Sequence, residues 1–226
     1  MTTPSPLAAS FSADESEVVS GPKGQRAHRL AVEQAERVAE RFYVVAPGVW
    51  THVGNGLSNQ TFVQGPGGVI AIDTGESVQE MECALARLRE HTDAPIVAVA
   101  YTHFHCVAGT RAVPGIDALP IWAHARVTVN RQRTGAEIAP MYQRDLVPQF
   151  GIRLPTEGVD GVVSVGLGTC FRNPAHAPFT PGFVAPTHVF SSPPRPPWQA
   201  CRWSSLPRRP MPTTRSPCGL RSLGWR

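Results

Sequence analysis

No apolar run in this chain approaches the length needed to cross a bilayer, which excludes a helical membrane span. The opening Met1-Thr-Thr-Pro-Ser-Pro6 lacks the charged and apolar regions of a secretory signal, so the expected compartment is the cytoplasm. Cysteine is sparse and odd in number, five without regular spacing, which argues for reduced thiols and against a disulfide framework. Lysine is almost absent: Lys23 is the single one among 21 basic residues. From residue 191 onward there is no Asp, Glu, Lys, Val or Ile, and eight of the chain's 23 prolines fall there. Lacking β-branched aliphatics at that proline density, residues 191–226 cannot supply core strands.

What is present has a clear order. At 226 residues the chain is long enough for one ample domain. Residues 1–25 are polar and rich in Ser, Pro, Gly and Thr, and are expected to form a disordered N-terminus. Residues 26–44 read as an amphipathic helix: Leu30, Val32, Ala35, Val38 and Ala39 oppose Glu33, Gln34, Glu36, Arg37, Glu40 and Arg41, so one face should pack on the domain. Residues 45–190 form that domain. Val45-Ala-Pro-Gly-Val-Trp50-Thr-His-Val53 and Thr61-Phe-Val63 read as strands, the second followed by a Gly65-Pro-Gly-Gly68 hairpin turn. Val69-Ile-Ala-Ile-Asp73-Thr-Gly75 is an apolar strand ending in a carboxylate and a glycine. Residues 77–91 then show helical spacing at Met81, Ala84, Leu85 and Leu88, and residues 94–101 return to strand character.

The chemistry sits just beyond, in Thr102-His-Phe-His105, a loop at the C-terminal end of that last strand. While extended geometry persists, side chains two apart project the same way, so His103 and His105 can reach one cation. Neutral imidazole suits Zn²⁺, Fe and Mn alike, and a chance pair among eight histidines is the plain alternative. Cys106 is either a soft metal ligand or a small buried hydrophobe, and extended geometry, which points it away from both histidines, favours the hydrophobe. Asp73 either orients a metal-ligating histidine or forms the turn before Thr-Gly. Asn59 reads equally as a loop residue satisfying backbone groups or as a substrate contact. His52, His91 and His124 read as satisfied surface or loop histidines.

In order and spacing, Gly56-Leu-Ser-Asn59, Gly68-Val-Ile-Ala-Ile-Asp73-Thr-Gly75 and Thr102-His-Phe-His105 resemble the metallo-β-lactamase superfamily. Arg131-Gln-Arg133, Gln149-Phe-Gly-Ile-Arg-Leu-Pro155, Gly166-Leu-Gly168 and Pro181-Gly-Phe-Val-Ala-Pro-Thr187 resemble its alkyl sulfatase branch. The fold so implied is α/β (α+β): the N-terminal part of an αββα sandwich, followed here by an irregular C-terminal tail. The implied chemistry is metal-dependent hydrolysis of a small-molecule ester, a sulfate ester by the branch, through a zinc-activated water. By the same resemblance His103 and His105 hold the metal and Asp73 supports them. That family writes its ligand loop H-x-H-x-D-H, whereas Val107 and Ala108 stand here at the last two ligand positions. Neither can ligate, so at most a single-metal arrangement is carried over; the alternative is a non-catalytic remnant or a binding module.

The tail belongs to a different composition. Its seven arginines exceed the chain's formal net charge of +4, so residues 1–190 are acidic on balance and the basic character is the tail's own. Three of the five tryptophans also fall there, a combination seen in nucleic-acid and membrane-surface patches. A GC-rich gene translated out of phase explains it better, and neither nucleic acid nor membrane is expected as a partner. Back-translated one nucleotide earlier, residues 211–219 permit Ala-Asp-Asp-Gln-Val-Ala-Val-Trp, which resembles the strand after a later metal-site loop in the family. A frameshift between about residues 186 and 203 is therefore expected. On that reading the second sheet and its ligands are displaced, and the first sheet is left with one apolar face uncovered.

Overall fold

The computed structural model describes residues 14–141, 144, 147–168 and 171–191. The expectations for residues 1–13 and for the tail beyond Ser191 lie outside the described residues. The mixed α/β architecture is built on one seven-stranded sheet of β3 (Arg41–Ala46), β4 (Val49–Val53), β5 (Gln60–Gly65), β6 (Gly68–Ile72), β7 (Ile96–Tyr101), β8 (Ile121–His124) and β9 (His188–Phe190), in that spatial order. Pairing is antiparallel from β3 to β6 and parallel from β6 to β9. The change of sense follows from the connections. Gly65 pairs with Gly68 across the expected hairpin, while α2 (Val78–Arg89) provides the crossover from β6 to β7 that a parallel pair requires.

One row across this sheet explains where the core lies. Trp50 pairs with Phe62, Phe62 with Ala71, Ala71 with Val99 and Val99 with Ile121, all of them buried. Met81, Ala84, Leu85 and Leu88 of α2 join the same cluster, as does Val127 of α3 (Arg126–Arg133). Four apolar residues at helical spacing on α2 thus cover one sheet face, as their sequence pattern requires. The neighbouring row on the opposite face, Thr51, Thr61, Ile72, Ala100 and Trp122, is only partly buried throughout.

Two expectations change at the N-terminal end. Residues 14–25, expected to be disordered, include β1 (Val18–Ser20), which pairs antiparallel with β2 (Arg26–His28). The helix expected over 26–44 is confined to α1 (Arg29–Arg37), where the His28 side chain accepts from Leu30 N at the N-terminus. Strand pairing takes both flanks: β2 on one side, and on the other the aromatic and β-branched run Phe42-Tyr-Val-Val45, whose preference is for a pleated surface. Of α1, only Ala35 is buried, and Leu30 lies open to solvent.

Candidate functional site

The loop after β7 places His103 and His105 at the surface with ring centroids 5.3 Å apart. Behind them Asp73 is buried at the end of β6 and accepts from Thr102 N at 2.9 Å and from Thr102 Oγ1 at 2.5 Å. The Thr102 hydroxyl also lies 2.9 Å from His103 Nδ1. Its one proton goes to the carboxylate, so it accepts from Nδ1–H, which leaves the lone pair of His103 on Nε2. Asp73 thus acts on His103 through Thr102, a link that the sequence reading of Asp73 lacked. Burial pushes the Asp73 carboxyl up, against the opposing effect of the two Thr102 hydrogen bonds. Burial pushes His105 down, helped by His103 and Arg131.

Cys106 departs from the extended geometry assumed for it, since its φ is 55°, in the left-handed region. The half-buried thiol is nevertheless poorly solvated: burial pushes it up to about 12. Asp73 at φ 56° and Phe179 at φ 60° are the other non-glycine residues of this kind among those described. Backbone of this type is costly and persists where the surrounding structure imposes it. Here the imposing contacts are Thr74 N to Cys106 O at 3.0 Å, Ala108 N to Gly75 O at 2.9 Å and Gly182 N to Ala108 O at 2.6 Å. Val107 is fully buried in the core cluster, and Asn59 is exposed before β5.

A second buried network lies beneath the loop and had no sequence signal beyond the glycines around it. The Glu80 carboxylate passes between Gly56 and Gly75, where any Cβ would collide with it. It accepts from Gln60 Nε2 at 2.8 Å and from Glu76 N at 3.1 Å, while Asn55 Nδ2 donates to Gln60 Oε1 at 2.9 Å. Burial raises Glu80 from 4.5 to about 7. The proton it retains favours the folded state fully below about pH 4.5, and that advantage is lost as pH rises towards 7. His52, His105 and His176 are lowered chiefly by burial, so their contribution rises with pH through about 6.5 and there opposes that of Glu80. The Glu80 effect is therefore read as a difference between parent and variant. We expect the stability of the parent relative to Glu80→Gln to fall by about 1 kcal/mol between pH 6.5 and 8, read from urea midpoints. An unchanged slope in the variant would remove Glu80 as its source.

The remaining histidines divide. His52, expected at the surface or in a loop, is buried on β4, because its position in the strand alternation faces α2 rather than solvent. Its Nε2 lies 3.3 Å from Glu40 Oε1 without hydrogen-bond alignment. His91 stacks on Phe42 with centroids 5.2 Å apart, and His124 Nδ1 accepts from Arg126 N at 3.1 Å.

Beside His105 opens a cleft of about 510 Å³ lined by Glu76, Phe104, Arg131, Arg172 and Phe179 among others. Arg131 lies 4.5 Å from the Phe183 ring centroid and Arg172 lies 5.3 Å from that of Phe179. Neither makes an ion pair with a carboxylate among the described residues. Arg131 fell within a sequence motif; Arg172 did not, because its role depends on a loop returning to α3.

Among the described residues, no group of three or more His, Cys, Asp or Glu side chains is placed to hold a metal ion. His103 and His105 offer two imidazoles, no third donor side chain among the described residues is grouped with them, and the position after Cys106 is a core valine. Catalytic zinc takes three protein donors, so the described residues alone do not fit a complete centre. No helix among them is long and apolar enough to cross a membrane.

Comparison with known proteins places this geometry. The family model described as "Metallo-beta-lactamase superfamily" matches residues 53–185, more than half of the chain. A linear primary-alkylsulfatase of Pseudomonas sp. is 30% identical over 135 residues, covering 57% of this chain and 24% of that protein. Among solved structures, the S233Y F250G double mutant of the sec-alkyl sulfatase PisA1 matches with a TM-score of 0.64 at 23% identity, over 72% of this chain and 26% of that one. The stereoselective inverting sec-alkylsulfatase Pisa1 from Pseudomonas sp. gives 0.60 at 23% identity, over 68% and 25%. The solved structures share the fold, and this chain spans about a quarter of the length of these relatives.

Proposed function

The chain belongs to the metallo-beta-lactamase superfamily, and from that premise we propose that it carries the first ligand loop of a metal-dependent alkyl sulfate ester hydrolase. The observation that supports this reading is the Asp73–Thr102–His103 link beside His105, in a chain 30% identical to an alkylsulfatase over 135 residues. Zinc, when held by enough donors, supplies an activated water near neutral pH. His103 and His105 are the side chains assigned to it, with Asp73 and Thr102 fixing the His103 ring. Since two imidazoles fall short of a catalytic set, no hydrolytic step is assigned to the described residues alone.

A second reading, a non-catalytic remnant, is favoured by one observation: Val107 is packed in the core where the family's loop carries a ligand. The measurement that separates the two is zinc uptake by the purified chain, followed by dialysis and elemental analysis, together with sulfate release from an alkyl sulfate. The first reading expects zinc uptake that His103→Ala abolishes and that Thr102→Val, which removes the hydroxyl link, weakens by about tenfold or more. Uptake indifferent to both substitutions, or no uptake at all, leaves the remnant reading.

A further inference from the structure

Helices α2 and α3 pack on one side of the seven-stranded sheet, and the core cluster is built on that side. The other side has a composition of its own. One row crosses it from Tyr43 through Thr51, Thr61, Ile72 and Ala100 to Trp122, and a second runs from Val49 through Val63 and Ile70 to Ala98. Of these residues only Ala98 is buried; the rest keep part of their surface in solvent. Neither row contains a charged side chain, whereas Glu82, Arg87 and Arg89 of α2 are all exposed. The helical side is therefore the solvated exterior, and the open sheet face is not built like one.

The polar groups of that face are arranged for a dry cover. The Thr51 and Thr61 hydroxyls lie 2.9 Å apart and bond each other across the strands, so burying them orphans neither. Other polar side chains gather at the two edges: Arg41 over the Tyr43 ring at 5.6 Å on β3, and His188, whose Nδ1 lies 2.9 Å from Thr187 Oγ1, on β9. A charge-free centre with a polar rim is the anatomy of a protein interface. Strands β4 to β7 have five or six residues each, so seven strands about 4.8 Å apart, rising about 3.3 Å per residue, give a face of roughly 500 Å². Two such faces in contact reach the roughly 1,000 Å² from which a specific interface holds. The chain's own residues 192–226 make a poor cover, since they contain no Val or Ile and eight of the 23 prolines. A second copy fits better: no like charges meet at the centre, no hydroxyl is stranded, and two sheets of the same twist lie aligned at about 30° and about 10 Å apart.

We propose that this sheet face, centred on Thr61, Val63, Ile70 and Ile72, joins a second copy of the chain in a closed two-fold dimer, with the sheets inside and the helices outside. A two-fold contact uses the same patch on both copies, so it stops at two. The pairing goes beyond the hydrolase reading and holds with or without zinc.

Sedimentation velocity of the full chain in EDTA, over roughly 1 to 200 μM, tests this together with hydroxyl-radical footprinting at both ends of the range. A monomer–dimer equilibrium is expected with a dissociation constant in the micromolar range, as suits the smallest specific interfaces. Ile70 and Ile72 should be labelled several-fold more slowly in the dimer, while Leu30, exposed on α1, should not change. Val63→Glu and Thr61→Arg, each placing a charge in the apolar centre, should weaken association at least a hundredfold with near-ultraviolet dichroism unchanged. Glu82→Arg, on the outer side of α2, should leave the dissociation constant within about twofold. Footprinting of the parent keeps the outcome decisive even if neither face variant folds. A monomer throughout the range overturns the proposal, and one that Val63→Glu destabilises assigns the cover to residues 192–226 instead. Species that grow beyond the dimer overturn it as well. So does a dimer in which Ile70 and Ile72 gain no protection, or one indifferent to the folded face variants.

Discussion

Replacing Gly109 by alanine should cost about 3 kcal/mol or more, a large fraction of the roughly 5–15 kcal/mol by which ordinary domains are stable. The backbone at Gly109 is unstrained, with φ −89°, so the cost is steric alone. An added Cβ would meet the carbonyl oxygens of Thr74 and Ser77 and the Met81 side chain. The first two are backbone and cannot swing aside. Thr74 N is bonded to Cys106 O, Ala108 N to Gly75 O, and Ser77 O to Met81 N, so one methyl group must separate the β6 turn, the start of α2 and the histidine loop together. Urea denaturation reads the effect, with Gly67→Ala as the control, since nothing lies within 4 Å of a Cβ built there. A loss below 1 kcal/mol for Gly109→Ala would mean that the loop is not clamped at this point, and the positions of His103 and His105 would lose their physical basis.

Phe62→Ala should remove about 3–5 kcal/mol, the usual range for a buried aromatic truncated in a closed core. Phe62 has no exposed surface, pairs with Trp50 and Ala71 in the sheet, and lies with its ring centroid 6.3 Å from that of Phe42. The cavity would open under α2, where Met81 and Leu88 are also fully buried and have no slack to fill it. Its neighbour Thr61 faces the other way, in the partly buried row, and hydrogen-bonds Thr51 across the strands at 2.9 Å. Thr61→Val should therefore change stability by about 1 kcal/mol or less, the net value of one such hydrogen bond. Thermal melts of the pair give a direct contrast. Equal losses from both variants would show that the two sheet faces are buried alike, contrary to the alternation along β4 to β8.

The elements from β4 to β7 were legible because each carries its own period. Apolar spacing at Met81, Ala84, Leu85 and Leu88 needs no distant partner to be read as a helix, and Gly65-Pro-Gly-Gly68 announces its own turn. The N-terminal helix was over-extended for the converse reason. Residues 26–28 have no strong preference of their own and are drawn into a strand by β1, while Phe42-Tyr-Val-Val45 already favours the pleated surface it forms against β4, so the apolar spacing of residues 30–39 was carried too far at both ends. His52 was misplaced because alternation gives two faces without saying which one a helix covers.

The sequence by itself determined the family resemblance, the succession of elements from β4 to β7 and the identity of the histidine pair, since each rests on short local motifs and periods. It also determined what the loop lacks, because valine and alanine carry no donor atoms in any fold. The tertiary structure alone decided how the site is held and what surrounds it. Asp73 reaches His103 only through Thr102 because β6 and β7 are neighbours, and Glu80 passes between Gly56 and Gly75 because α2 returns over the sheet. Arg131 and Arg172 meet in one cleft through chain segments distant in sequence. Local pattern encodes periodicity and donor chemistry; proximity between remote segments exists only once the sheet has closed and the loops have been brought to its edge.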